Sequence, residues 1–316
     1  MRDESTNTAV NYPVKPITMI VPFGVGGNGD IIARVMEKAV VKHFGHTLVI
    51  TNIPGGGGTV GWNKLIDAKP DGYTIGITTT GIILQALYGP TKYHYPTSLE
   101  PIAQIGVLPI VAAVLADKPW DNINDLVEYA NQHPGEIKCG NPGSGMPRHV
   151  VAELFAQEAG IDITQVPLNE GAETLANFFD GHVQLLFAMP VEIKEHVKNG
   201  KIKVLAVASE KRLTDPEFKN VPTFREQGLD VMLDGWAGIG APKGLPSDVK
   251  NKLAEGFRAI ICDPQFQENM HELGVTVEYL DPQEFDAKWI VENARLTKVI
   301  KETGVAERIA AQKNSK

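Results

Sequence analysis

Gly24, Gly26, Gly27 and Gly29 fall within six positions, between the apolar run Ile17-Thr18-Met19-Ile20-Val21-Pro22 and an apolar stripe at helical spacing. A strand that enters a helix through such a turn makes an anion site. Glycines let the backbone approach a ligand closely, and the unpaired N–H groups of the first helical turn, with the helix dipole behind them, favour negative charge. Phe23, Gly24, Val25, Gly26, Gly27 and Asn28 are therefore candidate ligand contacts. Asp30, at the helix start, suits the dipole and caps the first turn, and it can orient a water toward the ligand without touching an anion itself. Gly24-x-Gly26-x-x-Gly29 also matches the dinucleotide fingerprint. That fingerprint expects an acidic ribose reader about 20 residues on. Here the second strand ends in Asn52-Ile53, and the only carboxylate between Asp30 and Asp67 is Glu37, inside the first helix. A nucleotide-dependent oxidoreductase using Gly24–Gly29 is the alternative to a small-anion receptor. A protein that binds a partner and leaves its crevice empty is a third reading.

Three further loops offer similar chemistry. Pro54-Gly55-Gly56-Gly57-Gly58-Thr59 is a second glycine-rich turn before a helix, with Gly56 and Gly57 as candidate contacts, and Thr79-Thr80-Gly81 is a hydroxyl-rich strand end. In Asn141-Pro142-Gly143-Ser144-Gly145-Met146-Pro147-Arg148-His149, Ser144 offers a hydroxyl, Gly145 an N–H, and Arg148 a fork for a carboxylate. His149 reads as a buried, hydrogen-bonded side chain. Ser144 and His149 do not make a nucleophile and its base: they sit five apart at a helix start, with no positioned acid. No G-x-S-x-G elbow occurs, so no catalytic residue is expected. The histidines are scattered and the two cysteines, Cys139 and Cys262, make no metal cluster, so neither metal nor cofactor is expected. Both thiols are expected to be buried. The four tryptophans are expected in the core.

These loops must be held by alternating strands and helices. The chain has 316 residues, 43% of them apolar, enough for two domains. Its net charge of -8 disfavours nucleic acid, yet leaves room for an anion held by backbone dipoles. No apolar run reaches the length of a membrane span, and residues 1–11 read as a flexible polar leader without a signal peptide. A mature exported protein and a cytoplasmic one would both look like this. Strands are expected at 17–22, 47–52, 73–78, 137–140, 163–167, 183–187, 204–208 and 236–240, with apolar strands between 102 and 116. Helices are expected at 29–44, 59–67, 123–132, 147–159, 247–261, 264–273 and 283–302, and after 171 and 190. Strand–turn–helix repeats predict mostly parallel sheets, with ligands beyond the carboxyl ends of the strands. If the tail helices pack on the first lobe, the chain crosses between lobes near 108–116 and 230–240. Two crossings make a hinge, and a crevice between hinged lobes is a ligand clamp.

Taken together, these residues resemble a known family. Tyr12-Pro13-Val14-Lys15-Pro16-Ile17, Val21-Pro22-Phe23 with Gly26-Gly27 and Asp30, and Asp71-Gly72-Tyr73-Thr74 carry the likeness. So do Gly200-Lys201-Ile202, Val221-Pro222-Thr223 with Gly228, and Ala241-Pro242-Lys243-Gly244. The chain is similar to the substrate-binding proteins of tripartite tricarboxylate transporters, the Bug or TctC-like family. The resemblance implies an α/β, two-lobed periplasmic-binding-protein (Venus flytrap) fold with two crossing strands. Lobe one would be 12–110 plus 237–316, and lobe two 111–236. It implies a periplasmic receptor, expected to be monomeric, that closes on a small organic acid and presents it to membrane transporter subunits. Carried over, the site comprises Phe23, Gly24, Val25, Gly26, Gly27, Asn28, Asp30, Gly56, Gly57, Thr79 and Thr80 on lobe one. On lobe two Ser144, Gly145 and His149 match, and Arg148, Asn169 and Ala188 are candidates beside them. Val25 stands where the family usually has proline, and Ile53 where it usually has arginine. Leu168-Asn169-Glu170-Gly171 replaces a usual Tyr-Lys-Gly, removing a cation, and Ala188-Met189 replaces a usual Asp-Asn. The last two changes fall in the lobe that sets selectivity, so a mono- or dicarboxylate is expected before a tricarboxylate.

Overall fold

In a computed structural model of the protein, the described residues are 11–142, 145–168, 171–273 and 275–314. Nearly all of the expected leader, and the loop positions Ser144 and Asn169, lie outside them. The strands are β1 (Ile17–Val21), β2 (Leu48–Asn52), β3 (Thr74–Thr79), β4 (Leu99–Leu108), β5 (Val111–Leu115) and β6 (Lys138–Pro142). They continue as β7 (Thr164–Leu168), β8 (Leu185–Ala188), β9 (Ile202–Val207), β10 (Gly235–Pro242) and β11 (Thr276–Leu280). The helices of the first half are α1 (Asn28–Phe44), α2 (Thr59–Ile66), α3 (Gly81–Leu84), α4 (Tyr95–Ser98), α5 (Ile123–Gln132) and α6 (Pro147–Ala159). Those of the second half are α7 (Gly171–Phe179), α8 (Pro190–Lys198), α9 (Ser247–Ile261), α10 (Pro264–Glu272), α11 (Pro282–Thr303) and α12 (Val305–Asn314).

Local sequence sets the end of α1 and the start of α5. In α1, Ile32, Met36, Val40 and Phe44 recur at intervals of four and are buried. Gly45 then stops the helix in the left-handed region, its N–H returning to the Val41 carbonyl at 2.9 Å. Asn122 caps α5 as expected: its side chain accepts from the Asp125 N–H at 3.0 Å while Asp125 accepts from the Asn122 N–H at 3.2 Å.

The strands form two sheets, ordered β11-β4-β10-β3-β1-β2 and β7-β6-β8-β5-β9. Pairing directions show that β1, β2, β3 and β4 share one direction in the first sheet, and β6, β7, β8 and β9 in the second. The three reversed strands are β5, β10 and β11. Two of them, β5 and β10, are the first strands after the chain passes from one sheet to the other, so the crossings give the sheets their mixed character. The first passage is short, between Leu108 and Val111; the second occupies 208–234.

Helices α1, α9 and α10 pack on one another beside the first sheet, with Ile32, Met36, Phe257, Ile260 and Phe266 in one apolar cluster. The tail departs from the expectation that it packs on the first lobe alone. α12 buries Val305 and Ile309 in the cluster that also contains Val150 and Phe155 of α6, and Arg308 Nε lies 2.6 Å from Glu153 Oε2 of α6. All four tryptophans are buried. Cys139 is buried in β6, where burial pushes its thiol well above its ordinary range. Cys262 corrects the expectation of two buried thiols: it ends α9 on the exposed side, and both thiols are free. Among the described residues, no helix is long and apolar enough to cross a membrane, and no cluster of histidine, cysteine and carboxylate could hold a metal.

Candidate functional site

The carboxyl ends of β1, β2 and β3 open on a cavity of about 1120 Å³ between the two sheets. Its first wall is the turn after β1, where Phe23, Gly24, Val25, Gly26, Gly27 and Asn28 all line the space. Gly27 is the N-cap of α1, in extended conformation (φ -76°, ψ 166°), with no side chain capping the helix. The first amides of α1 therefore have no partner within the helix, and the helix dipole favours an anion at this end. Phe23 is both wall and packing: it lines the cavity and meets Trp62 edge-on at 6.0 Å.

Asp30 stands behind this turn rather than in the cavity wall. Only 1% exposed, its Oδ2 accepts from the Gly26 N–H and from Arg34 Nε, both at 2.9 Å, and its Oδ1 accepts from Asn52 Nδ2 at 3.1 Å. Asp30, expected to cap the first turn of α1 and orient a water toward the ligand, instead clamps the glycine turn, and the Gly26 N–H is spent on that clamp. Burial would raise the Asp30 carboxyl, but the bonds from Arg34, Gly26 and Asn52 outweigh it and hold the group below its ordinary value. Asp30→Asn is expected to destabilise the protein by about 1–3 kcal/mol at pH 7. A carboxyl lowered on folding adds stability that is complete above its ordinary value of 3.8 and is lost as pH falls through the folded value. The gap between variant and wild type in urea midpoint should therefore narrow between pH 7 and pH 3. An equal gap at both pH values would show that the charge does not hold the turn.

The second turn is built from four consecutive glycines with positive φ: Gly55 at 128°, Gly56 at 58°, Gly57 at 63° and Gly58 at 95°. Only glycine adopts that run without strain, and Gly56 and Gly57 present it to the cavity. Trp62 fixes the following helix by donating from Nε1 to the Ile77 carbonyl at 3.1 Å. The third loop contributes Thr79 and Thr80 to the wall. Thr80 Oγ1 accepts from the Trp236 N–H at 3.0 Å, tying the start of β10 to this loop.

On the opposite wall, Arg148 lines the cavity but does not offer an open fork: its Nη1 lies 2.7 and 2.6 Å from the two oxygens of Glu192 on α8. Gly145 and His149 do not line the cavity. The Gly145 N–H is used internally, donating to His149 Nδ1 at 3.1 Å, and His149 is 3% exposed, with Nε2 3.6 Å from Glu153. Ala188, at the end of β8, lines the space. Met189, read in the sequence as a change in the selectivity lobe but not as a contact residue, meets the Asn28 side-chain amide across the cleft with its sulfur, and Trp236, expected only in the core, lines the cavity from β10.

At the end of β2, where a ribose reader would stand, Asn52 Nδ2 donates instead to the Phe23 carbonyl at 3.1 Å and to Asp30. That position is occupied with shaping the first turn, and nothing here supports the oxidoreductase reading.

The family model described as "Tripartite tricarboxylate transporter family receptor" matches residues 32–305 of this chain. A UPF0065 protein of Bordetella pertussis is 31% identical over 274 residues, spanning 86% of this chain and 84% of its own. Among solved structures, "periplasmic binding protein BugD" superposes with a TM-score of 0.87 at 31% identity, covering 93% of this chain and 99% of its own. "R. palustris Rpa4515 with adipate" superposes with a TM-score of 0.88 at 30% identity, with the same coverage.

Proposed function

The chain belongs to the tripartite tricarboxylate transporter receptor family, and from that premise we propose that it is a periplasmic receptor for a small organic carboxylate, which it delivers to a membrane transporter. One observation carries the reading. The uncapped amino end of α1 and the Gly55–Gly58 turn open on the same large cavity between two sheets. Such a cradle holds a carboxylate through backbone groups and a dipole. The site residues are Phe23, Gly24, Val25, Gly26, Gly27, Asn28, Gly56, Gly57, Thr79, Thr80, Arg148 and Ala188, with Asp30, Gly145 and His149 positioning the loops. Ser144 and Asn169, outside the described residues, belong to the same proposal.

The lobes are taken as 12–110 plus 237–316, with α12 reaching across to α6, and 111–236. The protein acts as a monomer and catalyses no reaction. Capture depends on closure of the lobes, and a ligand shifts that equilibrium only by its differential affinity for the closed form. A solved relative carrying adipate supports the carboxylate class.

The test is the melting temperature against mono-, di- and tricarboxylates, with NAD and NADP included. A ligand at 100 times its dissociation constant adds about 2.7 kcal/mol, well within detection. The expected result is a rise with at least one carboxylate and none with the nucleotides. A rise with a nucleotide alone would overturn the reading, and no rise with any compound would favour a partner-binding protein with an empty crevice.

A further inference from the structure

Resting on the receptor reading above, we infer that the preferred ligand is a monocarboxylate with an apolar body rather than a di- or tricarboxylate. The two walls of the cavity differ in chemistry. The first-sheet wall carries the two glycine turns and Thr79-Thr80, beside Phe23, Asn28, Asn63 and Gln85, and its backbone cradle suits one carboxylate. The second-sheet wall presents Met146, Leu168, Leu175, Leu186, Met189 and Ile193. Leu186, Met189 and Ile193 are buried, and the other three are half-buried at the cavity surface. Burial of a hydrocarbon body against such a wall is favourable, whereas a charged group placed there loses its hydration without compensation.

No cation is left over for a second carboxylate. Among the described lining residues the basic side chains are Lys92 and Arg148. Lys92 Nζ is 2.8 Å from Asp67 Oδ2, on the first-sheet side of the mouth. Arg148 is held by both oxygens of Glu192, and Glu192 also accepts from the Met189 N–H at 3.0 Å, so the acid is fixed by α8 itself. The undescribed loop positions add no positive charge by sequence: they are Gly143, Ser144, Asn169 and Glu170. The site therefore supplies one anion cradle, an apolar far wall and an internally neutralised ion pair. A second carboxylate set against the second-sheet wall would have to break the Arg148–Glu192 pair or lie against leucines and methionines.

Octanoate and suberate (octanedioate) separate these cases, because they share a chain length and differ in the distal carboxylate. Titration calorimetry of the protein is expected to show octanoate binding roughly tenfold or more tighter than suberate, the scale at which a site rejects an unpaired charge. Suberate binding as well as or better than octanoate would overturn this inference while leaving the receptor reading intact. If octanoate, suberate, adipate, malate and citrate all fail to bind, the receptor reading fails with it. A second arm uses Glu192→Gln, which frees Arg148. Suberate should then gain at least about fivefold relative to octanoate. No relative gain would overturn the assignment of Glu192 as the group that neutralises the far wall.

Discussion

Gly27→Val is expected to weaken carboxylate binding by a factor of about 100 or more, equivalent to roughly 2.7 kcal/mol, while the fold is retained. Both halves of that expectation follow from the backbone. Gly27 has φ -76° and ψ 166°, a conformation open to any residue and favourable for a β-branched one. A Cβ at this position meets only the Gly24 carbonyl oxygen, at an ordinary 3.4 Å. The valine methyls therefore enter the cavity that Gly27 lines, in front of the first amides of α1. Glycine is also only a moderate N-cap, and exchanging it for valine costs about 1 kcal/mol or less, so the melting temperature should fall by no more than about 3 °C. The check pairs a melting curve with calorimetry, using the carboxylate that gives the largest shift in the wild type. Undiminished affinity in a folded variant would mean that the ligand is not held at the head of α1. Gly27→Ala, with one methyl in place of three carbons, should fall between the two.

What could be read in the chain beforehand divides along a physical line. Strand–turn–helix units announce themselves locally: the stripe Ile32, Met36, Val40 and Phe44, the Asn122–Asp125 cap and the glycine turns each depend on residues within a few positions of one another. Three helices, α5, α6 and α9, match their expected limits for this reason. β11 was missed although Thr276-Val277-Glu278-Tyr279-Leu280 alternates as an edge strand does, and its half-exposed side chains weaken the apolar signal. The partners of functional groups lie far apart in sequence, and there the reading stopped. Arg148 looks like a free fork until Glu192, 44 positions on, is seen to hold it. Asp30 looks like a ligand-facing cap until Asn52 and the Gly26 N–H close around it. Gly145 looks like an open donor until His149, only four positions away, takes its N–H; that bond was within reach of local reasoning. The selectivity wall was legible as residue types, Leu168 and Ala188-Met189 among them, but its apolar continuity needs α7, α8 and the β6–α6 turn brought together.

Gly61→Ala should act on the same site through the scaffold, and unlike Gly27→Val it should lower stability and affinity together. Gly61 is the third residue of α2 and is buried. A Cβ there would stand 2.6 Å from Pro22 Cα, 2.7 Å from Pro22 Cβ and 2.9 Å from the Ile53 carbonyl oxygen. Two of those three atoms are backbone, so no flexible side chain can swing away. Pro22 is the residue through which β1 enters the first glycine turn, and Ile53 leads β2 into the second, with its N–H bonded to Val21 at 2.8 Å. The bare face of α2 is thus what allows the two strand ends and their turns to lie side by side. Two effects oppose one another in the variant. Alanine gains about 1 kcal/mol of helix propensity over glycine, while overpacking of this kind costs about 1–3 kcal/mol and more when backbone must move. Because two strand ends must shift together, the second effect should win, leaving a net loss of about 2 kcal/mol in urea unfolding. Displacing the turns relative to α1 should also lower carboxylate affinity, by roughly tenfold, since a binding constellation tolerates only about 0.5 Å of error. Gly27→Val separates binding from stability; Gly61→Ala should move both. A stabilised Gly61→Ala protein with undiminished affinity would show that the contact between α2 and Pro22 is soft, and that the spacing of the two glycine turns is set elsewhere.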